Sequence, residues 1–142
     1  MQKRRAEPVE PAPAPGLVLD AGALRALERH DVDIIVALRT AHRLNLAIFL
    51  PAGALAQVWR GGPRSAPLAR LLKQLVTIVA VDERAARQIG EFVARMHQPD
   101  GPVDVVDAHV ALTTRATRSL VWTSDPKDMA RYGVPAAQIR RV

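Results

Sequence analysis

The sequence predicts an α/β domain with a mainly parallel central sheet. Short, continuous apolar runs of strand length alternate along the chain with segments whose apolar residues recur at helical spacing. At 142 residues, 49% of them apolar, the chain is long enough for one domain with a buried core and too short for two ordinary ones. It has no cysteine, which excludes a disulfide framework, a thiolate zinc site and cysteine nucleophile chemistry.

The first half of the domain shows clear start and stop signals for its elements. Asp31 is suited to cap a helix, and Pro51 is suited to the first position of another, which the Gly61-Gly62-Pro63 run then ends. In chain order, the patterns predict a strand at 17–20, a helix at 24–29, a helix at 31–44, a strand at 46–50 and a helix at 51–59.

The second half continues the alternation. Asp82, Asp104 and Asp125 each stand where they can cap a helix, and Pro126 follows the last of them. The patterns predict a helix at 66–75, a strand at 76–81, helices at 82–97 and 104–115, a strand at 120–123, a short helix at 125–132 and an edge strand at 138–142.

The N-terminal residues differ in composition from the rest of the chain. Residues 1–15 are rich in proline and alanine and cannot build a core, so we expect a disordered or polyproline-like tail there and the domain at 16–142. No apolar stretch approaches the roughly 20 residues that span a bilayer, and no apolar signal-peptide core follows the basic N-terminus. We therefore expect a cytoplasmic protein without a membrane partner.

The formal net charge of +6 favours acidic partners, and nucleic acid before membrane. Basic residues are concentrated between 37 and 90, where only Asp82 and Glu83 oppose them. The bases of that region are Arg39, Arg43, Arg60, Arg64, Arg70, Lys73, Arg84 and Arg87. Solvated helix faces are the alternative explanation of this charge.

Aspartates stand at the predicted strand ends and at the start of a helix. Asp20 closes the first strand, and Asp125 lies two residues past Thr123, the end of the fourth. Asp104 and Asp107 are three residues apart in one helix and therefore share a face. Because ligands bind outside the carboxyl ends of parallel strands, Asp20 and Asp125 share one edge if their strands are neighbours.

Carboxylates gathered in this way favour a divalent-metal site. Three acids about 5 Å apart repel one another by roughly 3 kcal/mol per pair at an effective dielectric near 20, and a hard cation removes that cost. One or two Mg²⁺ or Mn²⁺ ions would also lower the pKa of a bound water and hold the oxygens of a phosphodiester. Helix capping is the alternative role of Asp104 and Asp125, and Asp128 is assigned mainly a structural role at the start of its helix.

Four segments, in their order and spacing, resemble a PIN domain, especially the VapC-type toxins of bacterial toxin–antitoxin pairs. The resemblance extends over about residues 16–142 and is carried by residues 17–20, 50–59, 104–111 and 123–128. It implies a three-layer α/β/α fold and a Mg²⁺- or Mn²⁺-dependent ribonuclease, often a homodimer, held inactive by an antitoxin protein. It also implies that Asp20, Asp107 and Asp125 are metal ligands, with Asp104 as an accessory acid.

The chain departs from the family pattern at two positions. Gln57 stands where the family has a glutamate, and Gly22 stands where it usually has serine, threonine or asparagine. Gln57 still offers a carbonyl oxygen, but it contributes no charge, so the site holds one metal ion more readily than two.

These observations lead to a metal-dependent endoribonuclease of the toxin type as the first hypothesis. In it Asp20, Asp107 and Asp125 bind the metal, Asp104 assists through water and Gln57 orients a water or a ligand. Arg60, Arg64 or Lys73 would hold the phosphates of the RNA substrate. The alternative is a catalytically weakened PIN-like module that binds RNA or protein. An aspartate-nucleophile phosphatase is disfavoured because such enzymes use a second acid at the position of Gly22.

Overall fold

The computed structural model describes residues 16–74, 76–96 and 101–142, which form an α/β domain around a five-stranded sheet. All the strands pair in parallel, in the order β3-β2-β1-β4-β5. The strands are β1 (Leu17–Leu19), β2 (Ile48–Pro51), β3 (Val76–Val79), β4 (Leu120–Thr123) and β5 (Ile139–Arg141). The predicted α/β class and parallel sheet are confirmed.

Seven α-helices connect the strands in the described ranges. They are α1 (Ala21–Glu28), α2 (Val32–Arg43), α3 (Ala52–Val58), α4 (Ala66–Leu72), α5 (Glu83–Arg95), α6 (Val105–Thr117) and α7 (Pro126–Arg131). Two 3₁₀ turns, Pro63–Ser65 and Ala136–Gln138, complete the order of elements. None of the helices described here is long and apolar enough to cross a membrane.

The apolar runs of the sequence form the centre of the sheet because they have no polar side to expose. β1 is the central strand and is buried along its whole length, between β2 and β4. Helices supply the rest of the core, with Leu24 and Ile34 on α1 and α2 and Val110 on α6 fully buried. Helix α6 contacts β1, β2 and β4, whereas α1 contacts β1, β4 and the helices α2, α3 and α4.

The structure shortens several predicted elements. The strand predicted at 76–81 ends at Val79, where its pairing with β2 ends at Pro51. Pro51 itself is the N-cap of α3 and the last residue of β2, one position earlier than predicted. The helices predicted at 66–75 and 82–97 end at Leu72 and Arg95. Residues 75 and 97, like the predicted tail at 1–15, lie outside the described residues.

The strand order brings the predicted acids to one edge. β1 and β4 are parallel neighbours in register from Leu17 with Leu120 to Leu19 with Trp122. Asp20 follows directly after β1, and its N–H donates to the carbonyl of Trp122 at 3.3 Å. The condition under which Asp20 and Asp125 share one edge of the sheet is therefore met.

Candidate active site

A cavity of about 460 Å³ opens at the carboxyl end of β1 and β4. It is lined by four acids, an amide, two hydroxyls and two arginines: Asp20, Asp107, Asp125, Asp128, Gln57, Thr123, Ser124, Arg25 and Arg60. Of the five residues predicted to be catalytic or to bind metal, Asp104 is the one that does not line it. The polar part of the cavity wall thus combines oxygen ligands with guanidinium groups, and Ala21, Gly22 and Met129 complete the lining.

Asp20 is held in place from several directions. Its Oδ1 accepts the N–H of Ala23 at 3.0 Å, so Asp20 is the N-cap of α1 as well as a cavity residue. Asp20 is 8% exposed, and this burial raises the pKa of its carboxyl. Hydrogen bonds from Thr123, Ala23 and Gly22 and the charge of Arg25 act in the opposite direction.

Thr123 connects the two strand ends. Its hydroxyl oxygen accepts the N–H of Asp125 at 3.0 Å, and the same hydroxyl donates its proton to Asp20. Since Thr123 is fully buried, this arrangement fixes the orientation of the Asp20 carboxyl relative to β4.

Asp107 is the strongly perturbed acid of the site. Burial, a hydrogen-bonded contact with the Asp128 carboxyl, and the negative charges of Asp104, Asp128 and Asp20 raise its pKa from 3.8 to about 7. Two carboxyl groups in contact repel one another when both are ionised, so Asp107 binds a proton at higher pH than a free aspartate does. A cation at this point would displace that proton and remove the repulsion.

The two acids at the start of α7 have different roles. Asp125 is exposed and is the N-cap of α7, because its Oδ1 accepts the N–H of Asp128 at 3.1 Å. Asp128, one turn into the helix, faces Asp107 and forms an ion pair with Arg131 at 3.4 Å. Asp128, to which the sequence assigned mainly a structural role, is therefore in contact with the perturbed acid, and no signal in the sequence separates it from Asp125.

Hydrogen bonds join the start of α6 to the end of α7. The hydroxyl of the buried Tyr132 accepts the N–H of Asp104 at 2.8 Å, and Arg131 donates to the carbonyls of Gly101 and Pro102 at 2.7 and 3.1 Å. Asp104 in turn caps α6, where its Oδ1 accepts the N–H groups of Val106 and Asp107 at 2.7 and 3.1 Å. These bonds hold the first turn of α6 against α7 and explain why Asp107 and Asp128 meet.

Helix α3 brings Gln57 to the cavity through a close approach to α6. A Cβ atom on Gly53 would lie 3.0 Å from a methyl group of Val106, so glycine at this position lets the two helices approach. Gln57 is one turn after Gly53 and lies on the same side of α3. Within the described ranges its amide makes no hydrogen bond to another protein group, and it remains available to a ligand.

Gly22 and Ser124 meet at the rim of the cavity. A Cβ atom added to Gly22 would collide with the Ser124 Oγ and would lie 2.7 Å from its Cβ and 2.8 Å from its backbone N. Ser124 therefore occupies the space that a side chain at residue 22 would fill. A hydroxyl is present at this corner of the site, but it comes from the loop after β4.

The donor set suits a hard cation, although the acids do not converge on one point. Carboxylate, hydroxyl and amide oxygens are the ligands that Mg²⁺ and Mn²⁺ prefer. Within residues 16–74, 76–96 and 101–142, no three His, Cys, Asp or Glu side chains are arranged to hold a metal ion. Mg²⁺ usually keeps several waters and needs only one or two carboxylates, and Asp20 with Asp107 meets that requirement.

The three predicted phosphate-binding residues lie in different places. Arg60 lines the cavity, and its guanidinium also donates to the carbonyls of Trp59 and Gln57 at 2.7 and 3.0 Å. Arg64 lies on the 3₁₀ turn and pairs with Glu28 at 3.5 Å. Lys73 follows the end of α4 and does not line the cavity. Arg25, the cation nearest to Asp20 in sequence and the alternative partner for its charge, also lines the cavity beside Asp20.

A solved structure has a fold similar to that of this chain. A chain in the crystal structure of VapBC2 from Rickettsia felis bound to a DNA fragment from their promoter superposes with a TM-score of 0.64. The match covers 89% of this chain and 98% of that chain, at 16% sequence identity. The protein has a VapC-like PIN fold. Comparisons with protein-family models and with curated proteins give no match.

The VapC-like PIN fold confirms what the four sequence segments implied about architecture. At 16% identity the likeness establishes the fold alone, because one fold can carry many functions. Function must be argued from the residues that line the cavity.

Proposed function

We propose that this protein is a Mg²⁺- or Mn²⁺-dependent endoribonuclease of the VapC toxin type. The observation that carries the proposal is the perturbed Asp107, which lies with Asp20 and Asp128 at the carboxyl end of a parallel sheet. Strongly shifted acids in a cleft are characteristic of functional sites. The structural relative belongs to a VapBC2 complex, which supports an antitoxin protein as the partner of this chain; a homodimer remains part of the proposal.

In the proposed mechanism, Asp20 and Asp107 would hold the metal ion, and Asp125 and Asp104 would contribute through water molecules. All of these aspartates except Asp107 cap a helix, but Asp104 and Asp125 are exposed whereas Asp20 is buried, and Asp104 does not line the cavity. Exposure therefore favours an outer role for Asp104 and Asp125. The metal ion supplies charge neutralisation at the phosphate and a lower pKa for a bound water.

The remaining residues of the cavity position the substrate. Arg25 and Arg60 place guanidinium groups at its rim, where they can bind the phosphates on either side of the reacting one. Gln57 can donate to a phosphate oxygen or accept from the attacking water through the two ends of its amide.

The proposal is tested by cleavage of a structured RNA in the presence of Mn²⁺, with wild type compared with Asp20→Asn. Asparagine caps helices as well as aspartate does, so α1 is preserved while the charge is removed. Asp82→Asn is the matched control, because Asp82 also caps a helix, accepting the N–H of Ala85 at 2.8 Å, and does not line the cavity. We expect Asp20→Asn to lose cleavage and Asp82→Asn to keep it. Equal cleavage by wild type and Asp20→Asn would refute the proposal.

A PIN-like module that binds RNA or protein without cleaving it is the second candidate. It is favoured by Gln57, which adds no charge, and by the lack of three convergent acids in the described part of the chain. Calorimetric titration with Mn²⁺ separates the two candidates. Binding that is lost in Asp107→Asn and kept in Asp82→Asn supports the enzyme, and no binding at millimolar Mn²⁺ supports the module.

A further inference from the structure

A second cavity adjoins the candidate active site. It has a volume of about 520 Å³ and lies between α1 and the segment formed by the 3₁₀ turn and α4. We call it the arginine cleft, and its charged residues are Arg25, Glu28, Arg29, Arg64 and Arg70. Arg25 lines both cavities, so its side chain provides the continuity between the arginine cleft and the site that holds the acids.

The charge of the arginine cleft is strongly positive. Four arginines face one acid, Glu28, whose side chain is 10% exposed and lies 3.5 Å from Arg64. Among the described residues that is the one ion pair formed by these four arginines. Arg29 and Arg70 therefore have no ion-pair partner among the described residues, while Arg25 lies beside Asp20, and positive charges on a concave surface attract polyanions.

The elements that build the arginine cleft also build the active site. Asp20 is the N-cap of α1, and Arg25 lies on this helix. Arg29 directly follows the last residue of α1 and lies about 6 Å from Arg25 along the helix axis. On the opposite side, the buried Ser65 hydroxyl accepts the N–H groups of Arg60 and Gly61, both at 3.0 Å. The loop that places Arg60 at the acids and Arg64 in the cleft is thus held in one conformation.

From this continuity we propose that a single RNA strand bound at the acids continues into the arginine cleft. Its phosphates would contact Arg25, Arg29, Arg64 and Arg70, which is an interaction surface beyond the metal-binding acids. The inference rests on the proposed function of the neighbouring site. Guanidinium groups dominate the cleft, and its lining includes the imidazole of His30 but no Phe, Tyr or Trp side chain. Because phosphate contacts and stacking both tolerate any base, the contact reads the backbone and carries no sequence preference.

The dependence of RNA affinity on salt concentration tests the proposed path of the RNA strand along the arginine cleft. We would measure fluorescence anisotropy of a labelled single-stranded RNA in EDTA, which prevents metal-dependent cleavage, across a series of KCl concentrations. Each phosphate contact contributes a slope of about −0.7 to the plot of log K against log salt concentration. The variant Arg29→Gln/Arg70→Gln, at two exposed positions, should bind more weakly and reduce the slope by about 1.4.

A matched pair of arginines controls for net charge. Arg84→Gln/Arg95→Gln removes the same charge from exposed positions on α5, outside the arginine cleft. This variant should bind RNA with nearly the slope of the wild type. If both double variants weaken binding equally, the protein attracts RNA only through its overall charge, and the proposed path is refuted.

Substitution of Glu28 should change RNA affinity in the opposite direction. Glu28→Gln removes the one acid of the arginine cleft while it preserves the volume of a side chain that is almost fully buried. RNA binding should become tighter, and a decrease in affinity in a folded variant would contradict the path.

These measurements separate the path from the proposed function, because they need neither metal nor cleavage. If the protein cleaves no RNA but its RNA affinity depends on Arg29 and Arg70, the proposed RNA path along the arginine cleft is supported and the proposed ribonuclease activity is refuted. A cleft variant that binds RNA as wild type does but no longer binds its antitoxin overturns the RNA path and assigns the surface to a protein partner.

Discussion

Substitution of Gly22 by alanine tests whether Ser124 fills the space beside the first turn of α1. The new Cβ would lie 2.7 Å from the Cβ and 2.8 Å from the backbone N of Ser124, against a normal contact of about 3.5–4.0 Å. Rotation of the exposed hydroxyl relieves its own collision but moves neither of these atoms. Overpacking of this kind costs about 1–3 kcal/mol, and the better helix propensity of alanine returns at most about 1 kcal/mol. We expect a net loss of about 0–2 kcal/mol.

The double variant Gly22→Ala/Ser124→Gly isolates the contact. Ser124→Gly removes the Cβ and Oγ and leaves only the approach to the backbone N. Urea unfolding of the wild type, both single variants and the double variant should give a favourable coupling free energy of about 1 kcal/mol.

Gly90→Ala is the control for helix propensity, because nothing lies within 4 Å of a Cβ at this helical position. It should stabilise the protein by up to about 1 kcal/mol. If the effects of Gly22→Ala and Ser124→Gly add within about 0.3–0.5 kcal/mol, Ser124 does not occupy the space beside residue 22.

Three further substitutions probe the acids. The raised pKa of Asp107 means that the folded state binds a proton more tightly than the unfolded state, so in EDTA the free energy of unfolding should fall as pH rises from about 4 to about 7. Asp107→Asn should flatten this pH dependence. Because the carboxyl is only half-buried, the substitution should stabilise the protein above pH 7 by about 1–2 kcal/mol, measured by urea unfolding. An unchanged pH dependence would show that Asp107 is not the acid with the raised pKa. Gln57→Glu should raise Mn²⁺ affinity by about tenfold in calorimetry while it destabilises the metal-free protein, and weaker Mn²⁺ binding would place residue 57 away from the metal. Tyr132→Phe leaves the N–H of Asp104 without its partner and should lower the free energy of unfolding by about 1–2 kcal/mol, whereas a loss below a few tenths would show that the bond contributes little.

The fold could be predicted because its elements depend on local pattern. β1 is a short apolar run and is buried on both faces, and the caps Asp31, Asp82 and Asp104 start their helices where predicted. Strand ends were predicted less well, since pairing with a neighbour sets them. Leu46, predicted within the second strand, instead donates its N–H to Ala41 at 2.8 Å, in the turn before the strand.

The candidate site was predicted in its main parts and not in its contacts. The end of an apolar run placed Asp20 at the sheet edge, the family resemblance pointed to Gln57 on helix α3, and both line the cavity. The contact between Gly22 and Ser124 joins residues that are far apart in sequence, and neither residue type signals it. Arg25 could be named from the sequence as the cation nearest to Asp20, but its place in the cavity wall depends on the packing of α1 against the sheet.

The two acids of α7 show why residue type and spacing are insufficient here. An N-cap side chain must turn back toward the first free N–H groups of its helix, and Asp125 does so by accepting from Asp128. A residue three positions later is already helical, so its side chain projects sideways toward whichever element lies there. In this fold that element is the first turn of α6, held in place by Tyr132 and Arg131, and its Asp107 is the neighbour that Asp128 meets. The raised pKa of Asp107 thus follows from helix geometry together with one tertiary contact, and only the second of these is hidden from the sequence.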